Sequence, residues 1–147
     1  MVNDRQFGTF FLNGLCFGVP VADVQEVLRY QEMTPAPLAS DVVSGLINLR
    51  GEIVMAIDLR RRMGMPDRPD DQHPMNVVVR AQGEVVSLLV DEIGDVLEVD
   101  PDAFEESPET VEGVARELIK GVFKLEDRLM LVLDTDKTVN FERELVN

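Results

Sequence analysis

The chain of 147 residues is long enough for one compact domain or for two small units that share a core. Acidic residues outnumber basic ones by 28 to 14, and the resulting net charge of −14 argues against a nucleic-acid partner. We find no signal-peptide pattern, and no apolar run approaches the roughly 18–20 residues of a membrane span. Cys16 is the single cysteine, so no internal disulfide can form and we expect a cytoplasmic protein.

The acidic charge is concentrated in the second half of the chain. Residues 76–147 hold 18 acidic and 7 basic residues, and residues 81–115 hold eleven acidic residues and no Lys or Arg. Two interpretations fit this distribution: a solvated face that keeps the protein soluble, or an acidic surface that docks a basic partner. Composition alone does not choose between them.

Short β-type runs occupy the start of the chain. Phe7–Leu12 and Leu15–Val19 are joined at Asn13-Gly14, a dipeptide that accepts the two positive φ angles of a type I′ hairpin turn. The approximate alternation of apolar residues in Val24–Tyr30 predicts a third strand.

A second hairpin is predicted near residue 50. Gly45–Leu49 and Ile53–Ile57 are apolar but too short for buried helices, so we assign them to strands. Asp58 can cap a short helix at Leu59–Met63, and Gly64 can end it.

The second half repeats this kind of pattern after a polar loop at Asp67–Pro74. The acidic segment Asp100–Glu112 is predicted to be a loop, and the tail from Asp136 to Val146 a C-terminal helix. About eight to ten short strands with few helices favour an all-β fold of small barrels or sandwiches. The strands predicted in this half are Asn76–Arg80, Val85–Val90, Val96–Val99, Leu118–Leu125 and Leu129–Leu133.

The two halves also resemble each other in sequence. Gly45–Asp58 aligns with Gly121–Asp134 at an offset of 76, and Val24–Leu28 aligns with Ile93–Leu97 at an offset of 69. Two blocks in the same order indicate an internal duplication, with an insertion between the blocks. We therefore predict two similar β-subdomains with a cleft between them.

The approximate ranges of these subdomains are 15–75 and 76–135 within a single domain that spans 1–147. The N-terminal strand and the C-terminal helix are candidates for crossing from one subdomain to the other.

The search for catalytic chemistry finds little. His73 is the only histidine and has no Cys or acidic residue at metal-ligand spacing, and Cys16 has no basic neighbour in its strand, which is typical of a buried structural thiol. There is no Gly-x-Ser-x-Gly turn and no phosphate-binding glycine loop. Asp58 and Asp134 stand at equivalent strand ends, where helix capping explains them better than acid–base catalysis. We expect no catalytic residue, no metal and no cofactor.

Arg50 is unusual because it occupies a turn where Asn, Asp or Gly would serve. One interpretation is an intramolecular ion pair with Glu52 or Asp58, and the other is contact with a partner at the cleft. The run Arg60-Arg61-Arg62 is interpreted as a solvated first helical turn that offsets nearby acids.

Four blocks together resemble the CheW coupling proteins of bacterial chemotaxis, and the similarity extends over roughly residues 5–140. Residues 45–60, Gly-Leu-Ile-Asn-Leu-Arg-Gly-Glu-Ile-Val-Met-Ala-Ile-Asp-Leu-Arg, resemble the central signature of that family. The other three blocks are Val24–Arg29, Val90–Leu97 and Gly121–Asp134. The chain departs from the family at Met55-Ala56, where a proline is frequent, and in the acidic segment after residue 100.

The resemblance implies two five-stranded SH3-like β-barrels packed together and a non-enzymatic role. Such an adaptor links the cytoplasmic tip of chemoreceptors to a histidine autokinase through the regulatory domain of the kinase, with no membrane insertion. The same adaptor in a pathway that controls pili, and a metal- or ligand-binding β-barrel enzyme, are the alternatives. By position in the family blocks, the resemblance implies that partners bind at Val24, Glu26, Gly45, Arg50, Ile93 and Val96. Asn48, Arg50 and Gly51 are absent from the second copy, and we therefore expect partner binding there as well.

Overall fold

The computed structural model describes residues 5–36, 39–106 and 115–141, and β-strands are the main regular structure in this part of the chain. This part of the chain has two short α-helices, α1 (Leu59–Met63) and α2 (Thr135–Val139). The strands within the described residues are β1 (Gln6–Leu12), β2 (Leu15–Pro20), β3 (Val24–Leu28), β4 (Val43–Leu49), β5 (Glu52–Asp58), β6 (Met75–Ala81), β7 (Glu84–Val90), β8 (Glu92–Glu98), β9 (Phe104–Glu105), β10 (Ile119–Lys124) and β11 (Leu129–Leu133).

The strands form two sheets, in agreement with the predicted all-β fold. One sheet has the order β8-β1-β2-β11-β10-β9 and the other the order β3-β6-β7-β5-β4. Most neighbouring strands pair antiparallel, but β2 pairs with β11 and β5 pairs with β7 in parallel. Each of these two sheets corresponds to one of the two predicted SH3-like barrels.

The internal repeat is visible strand by strand. At an offset of 69, β1, β2 and β3 correspond to β6, β7 and β8, and at an offset of 76, β4, β5 and α1 correspond to β10, β11 and α2. The β-bulges recur as well: the ladder shifts between Val43 and Gly45 in β4, and between Ile119 and Gly121 in β10. The duplication therefore extends to irregularities of the backbone, which a chance similarity of hairpins would not reproduce.

Each sheet takes strands from both repeats, which differs from the predicted ranges 15–75 and 76–135. The hairpin β1–β2 of the first repeat lies in the sheet of β8, β10 and β11, and the hairpin β6–β7 of the second repeat lies in the sheet of β3, β4 and β5. Two complete hairpins are exchanged, rather than the N-terminal strand alone. Sequence alignment identifies repeated units but holds no information on which repeat supplies the neighbour of a given strand.

Both sheets curl until their ends meet. After β3 the chain returns to β4, where Thr34 and Leu46 exchange two backbone hydrogen bonds of 2.8 Å. In the other sheet, β9 performs the same closure by pairing with β10, so the predicted loop at Asp100–Glu112 contains a short strand in its described part. Residues 107–112 of that prediction lie outside the described residues.

Glycine is needed where each closing segment crosses. A Cβ atom at Gly45 would lie 2.7 Å from the carbonyl oxygen of Thr34, and one at Gly121 would lie 2.3 Å from the carbonyl oxygen of Glu105. Both distances are too short for a side chain, so the glycine that opens each repeated block is required for closure of the barrel.

The short helices have the predicted caps. The Asp58 carboxylate accepts hydrogen bonds from the backbone N–H groups of Arg60 and Arg61, and Gly64 ends α1 at φ 79°. Asp134 caps α2 in the same way by accepting from the N–H of Lys137. The predicted C-terminal helix, Asp136 to Val146, is observed only as α2, and residues 142–147 lie outside the described residues.

The main core lies between the two sheets. It contains Phe10 and Phe17, stacked with ring centroids 5.6 Å apart, together with side chains from strands of both repeats. Each fully buried side chain of this size contributes about 1.5–3 kcal/mol. Cys16 is buried beneath the first sheet, as predicted, and this burial raises the pKa of its thiol. The exchange of hairpins therefore makes the two barrels share one core.

A buried ionic cluster joins elements of both sheets. The Asp91 carboxylate accepts two hydrogen bonds from Arg60, of 2.9 and 2.6 Å, one of 2.9 Å from Arg68, and one of 2.8 Å from the backbone N–H of Asn13. Burial alone would raise the pKa of Asp91, but the hydrogen bonds from Arg60, Asn13 and Arg68 outweigh burial and hold that pKa below its usual value. The cluster thereby ties α1 to the first hairpin turn.

The arginine run is not a solvated face, so that interpretation is wrong. Arg60 is buried in the cluster with Asp91. Arg62 donates to the carbonyl oxygens of Thr138 and Lys137, both at 2.8 Å, and so satisfies the C-terminal end of α2. Only Arg61, which pairs with Asp67, has a largely exposed side chain.

We predict that Gly45→Ala destabilises the protein by about 1–3 kcal/mol, because the added methyl group meets the backbone of Thr34. Gly8→Ala is the matched control: its Cβ would lie 3.8 Å from its nearest neighbour, at ordinary van der Waals distance. Urea unfolding of both variants measures the difference. Equal stabilities for the two variants would contradict the closure role of Gly45.

We predict that Asp91→Asn costs about 3–5 kcal/mol, because two buried guanidinium groups lose their counter-charge. The pKa of Asp91 is lower in the folded than in the unfolded chain, so its contribution is fully present above about pH 4 and is lost as the pH falls through the folded pKa. Unfolding free energies across this range should show a steeper acid decline for the wild type than for the variant. Parallel pH profiles would contradict this assignment.

Candidate partner-binding interface

A groove runs between the two sheets, with β3 on one side and β8 on the other. Its volume is about 210 Å³, and its lining is mainly apolar. The exposed side chains of Val27 and Val96, 49% and 62% accessible, stand on the two walls. The remaining lining residues are Gly8, Thr9, Phe10, Val19, Val21, Val24, Glu26, Val77, Ile93 and Gly94.

The groove has internal symmetry because its walls are equivalent strands of the two repeats. At the offset of 69, Val24 corresponds to Ile93 and Val27 to Val96. The register agrees, since Val24 pairs with Val79 on β6 while Ile93 pairs with Phe10 on β1. The four apolar wall positions are thus two equivalent pairs that face one space.

Arg50 connects the turn between β4 and β5 to the β3 wall of this groove. Its guanidinium forms a bidentate ion pair with the Glu26 carboxylate, with N–O distances of 2.5 and 2.8 Å. The hydrogen bonds from Arg50 lower the pKa of Glu26, and those to Glu26 raise the pKa of Arg50. The predicted ion pair of Arg50 with Glu52 or Asp58 is therefore wrong.

The pair also explains the unusual residue in the turn. Arg50 has φ 54° and Gly51 has φ 88°, the two left-handed conformations of a type I′ turn. The side-chain oxygen of Asn48 accepts a hydrogen bond of 2.9 Å from the N–H of Gly51 and so supports the turn from one side. The Arg50 side chain is 73% exposed even while it contacts Glu26, which leaves much of the guanidinium available to a partner.

The predicted site residues therefore occupy three kinds of position. Val24, Glu26, Ile93 and Val96 line the groove, and Arg50 is attached to it through Glu26. Asn48 and Gly51 lie at the hairpin turn and shape it. Gly45 is not at the surface, because it is buried beneath the segment that closes the barrel.

Sequence reasoning missed Val27, which is more exposed than its neighbours on β3. The signal was present in the repeat, since Val27 is the equivalent of Val96, which was selected. The glycines Gly8 and Gly94, which also line the groove, were missed as well, and nothing in the local sequence marks them as part of a site.

A metal-binding cluster and a membrane-spanning helix are both absent from the described residues. Within residues 5–36, 39–106 and 115–141, no group of three or more His, Cys, Asp or Glu side chains is placed to hold a metal ion. No helix in that part of the chain is long and apolar enough to cross a membrane.

A family model described as CheW-like domain matches residues 6–143, and the chain therefore belongs to the CheW-like family. It is 29% identical over 138 residues to the chemotaxis protein CheW of Klebsiella aerogenes, covering 94% of this chain and 83% of that protein. The chemotaxis protein CheW of Rhizobium meliloti is 30% identical over 132 residues, covering 90% and 85%.

A solved structure and a second class of relative add to this comparison. The crystal structure of the scaffolding protein TtCheW from Thermoanaerobacter tengcongensis superimposes with a TM-score of 0.86 at 25% identity, covering 95% of each chain. Protein PilI of Pseudomonas aeruginosa is 29% identical over 117 residues, covering 80% of this chain and 66% of that protein.

Proposed function

We propose that this chain is a non-enzymatic, cytoplasmic adaptor that couples the cytoplasmic tip of a chemoreceptor to the regulatory domain of a histidine autokinase. The observation that carries the proposal is the apolar groove between β3 and β8 in a chain of the CheW-like family. An exposed valine on each wall of a solvent-accessible groove is typical of a surface that a partner covers.

The groove suits a helical partner better than a β-strand. β3 and β8 each have a free edge, but both ladders carry a bulge near the groove, between Val24 and Glu26 and between Gly8 and Phe10. A bulge disrupts the regular row of N–H and C=O groups on which an added strand depends. A helix needs no backbone partner and can place side chains at i, i+3 and i+4 into an apolar groove.

The ion pair between Arg50 and Glu26 supplies a route from the groove to the hairpin turn. Glu26 lies on the β3 wall, whereas Arg50 lies at the tip of β4–β5. A receptor that moves β3 would change the geometry of the pair and hence the surface offered to the kinase. Such coupling requires that the adaptor binds the two states of the kinase with different affinity.

A pathway that controls pili is the second candidate, and the similarity to protein PilI favours it. The adaptor role and the groove would be the same, and only the partners would differ. Purification of the tagged chain from its own cells, with identification of the receptors and kinase that come with it, distinguishes the two. The same experiment shows whether the chain is recruited to membrane-associated receptor arrays.

We predict that Val96→Glu weakens binding to a chemoreceptor tip at least about tenfold, because a carboxylate would be buried against the apolar partner. Leu129→Glu is the control, since Leu129 is also an exposed apolar residue, on the β10–β11 hairpin away from the groove. Titration calorimetry with a purified receptor tip provides the measurement. Equal loss in both variants would count against the groove as the receptor site.

We predict that Arg50→Glu leaves the fold intact but weakens the ternary complex with the receptor tip and the kinase domain. The exposed pair contributes little to folding, so the melting temperature should stay near that of the wild type. The charge swap Arg50→Glu with Glu26→Arg restores the pair in reverse. Rescue by the swap would assign the effect to the geometry of the turn, and no rescue would assign it to direct contact with Arg50. A single variant that retains full ternary complex in a pull-down would overturn the role of Arg50.

A further inference from the structure

The two walls of the groove are alike in shape but differ in charge. Where the first repeat has Arg29 and Arg50, the second has Glu98 and Glu126 at the equivalent positions. Glu26 is neutralised by Arg50, whereas its equivalent, Asp95, makes no ion pair within the described part of the chain. The two repeats therefore share the apolar wall positions, whereas the basic groups occur on one side only.

The β8 wall carries a row of exposed carboxylates. Glu92, Asp95 and Glu98 are all exposed, and they lie on the same strand as the groove residues Ile93 and Val96. No Lys or Arg occurs between residues 81 and 115 to offset them.

Two basic residues lie beside β8. The carbonyl oxygen of Arg5 accepts a hydrogen bond of 2.7 Å from the N–H of Val99. The Arg128 guanidinium lies 5.4 Å from the ring centroid of Phe11, the residue that pairs with Glu92. Even with both counted, β8 has three carboxylates to two guanidinium groups.

We propose that the groove is specific for an amphipathic helix with Lys or Arg residues along one flank, and that this flank lies against β8. The inference rests on the proposed adaptor function and adds two points: the chemistry of the partner helix and the orientation of that helix in the groove. The apolar stripe of the helix contacts the equivalent valine and isoleucine positions. Because these positions are alike on both walls, they do not distinguish the two directions in which the helix can lie. The carboxylates of β8 then select the orientation in which the basic flank faces them.

This arrangement gives a physical meaning to the excess of acidic residues in the second half of the chain. Solvation alone would be served by carboxylates anywhere on the surface. Here three of them lie on the strand that forms one wall of an apolar groove, and the strand of the other wall is close to neutral because Glu26 is paired and Arg29 is basic. Such a field accelerates encounter with a basic helix and disfavours the reversed pose.

The test compares three proteins: the wild type, Glu98→Arg, which copies the equivalent Arg29, and Asp71→Arg, an equal change of charge in the exposed loop after α1. The probe is a purified chemoreceptor cytoplasmic tip, titrated at about 0.05 M and about 0.5 M NaCl. We expect Glu98→Arg to weaken binding about tenfold at low salt and to reduce its salt dependence, while Asp71→Arg stays close to the wild type.

The outcomes separate the two proposals. Salt-independent binding by the wild type, with Glu98→Arg equal to the control, overturns the charge proposal and leaves the adaptor function standing. No binding by the wild type overturns both. A loss of binding to the kinase regulatory domain in place of the receptor tip shows that the groove has another occupant. Asp95→Lys, made in parallel, gives the same reading if Glu98→Arg fails to fold.

Discussion

Neither repeat of this chain can complete a barrel by itself, and the rest of the structure depends on that constraint. The first repeat gives its hairpin β1–β2 to the sheet of the second and receives β6–β7 in return. The two parallel ladders, β2 with β11 and β5 with β7, join each exchanged hairpin to strands of the other repeat. Because every sheet contains strands from both repeats, the barrels cannot separate without breaking strand pairs in each.

The exchange also creates the groove. In each repeat, the strand that follows the exchanged hairpin, β3 or β8, crosses to the opposite sheet and becomes its edge. The two crossing strands then face each other, which is why the wall residues come in equivalent pairs. The buried cluster around Asp91 lies at one of these crossings, between β7 and β8, and fixes it with four hydrogen bonds.

Local features of the fold could be predicted from the sequence, and long-range ones could not. The Asn13-Gly14 turn and the Asp58 cap depend on a few adjacent residues, and both are where we expected them. The exchange of hairpins depends on pairing between strands that are far apart in the chain, such as Met55 with Val86 and Cys16 with Met130, and apolar patterns do not encode it.

The candidate site shows the same limit. Val24, Ile93 and Val96 were identified and do line one groove, but the partner of Arg50 was misassigned because Glu26 is 24 residues away. Gly45 was chosen for a surface role, yet its function is to let the backbone of Thr34 pass. A close backbone approach of this kind leaves no mark on the sequence beyond the glycine itself.

The parallel ladder between β2 and β11 has a consequence for synthesis on the ribosome. Residues 16–18 pair with residues 9–11 of β1 on one side, but their neighbours on the other side are residues 130–132, which are synthesised more than one hundred residues later. The first hairpin must therefore wait, with Phe10 and Phe17 unburied, while more than a hundred residues are added. Such a high contact order slows folding and leaves sticky apolar surface exposed on the nascent chain. We therefore expect chaperones to bind mainly to the β1–β2 hairpin of the nascent chain and not evenly along the protein.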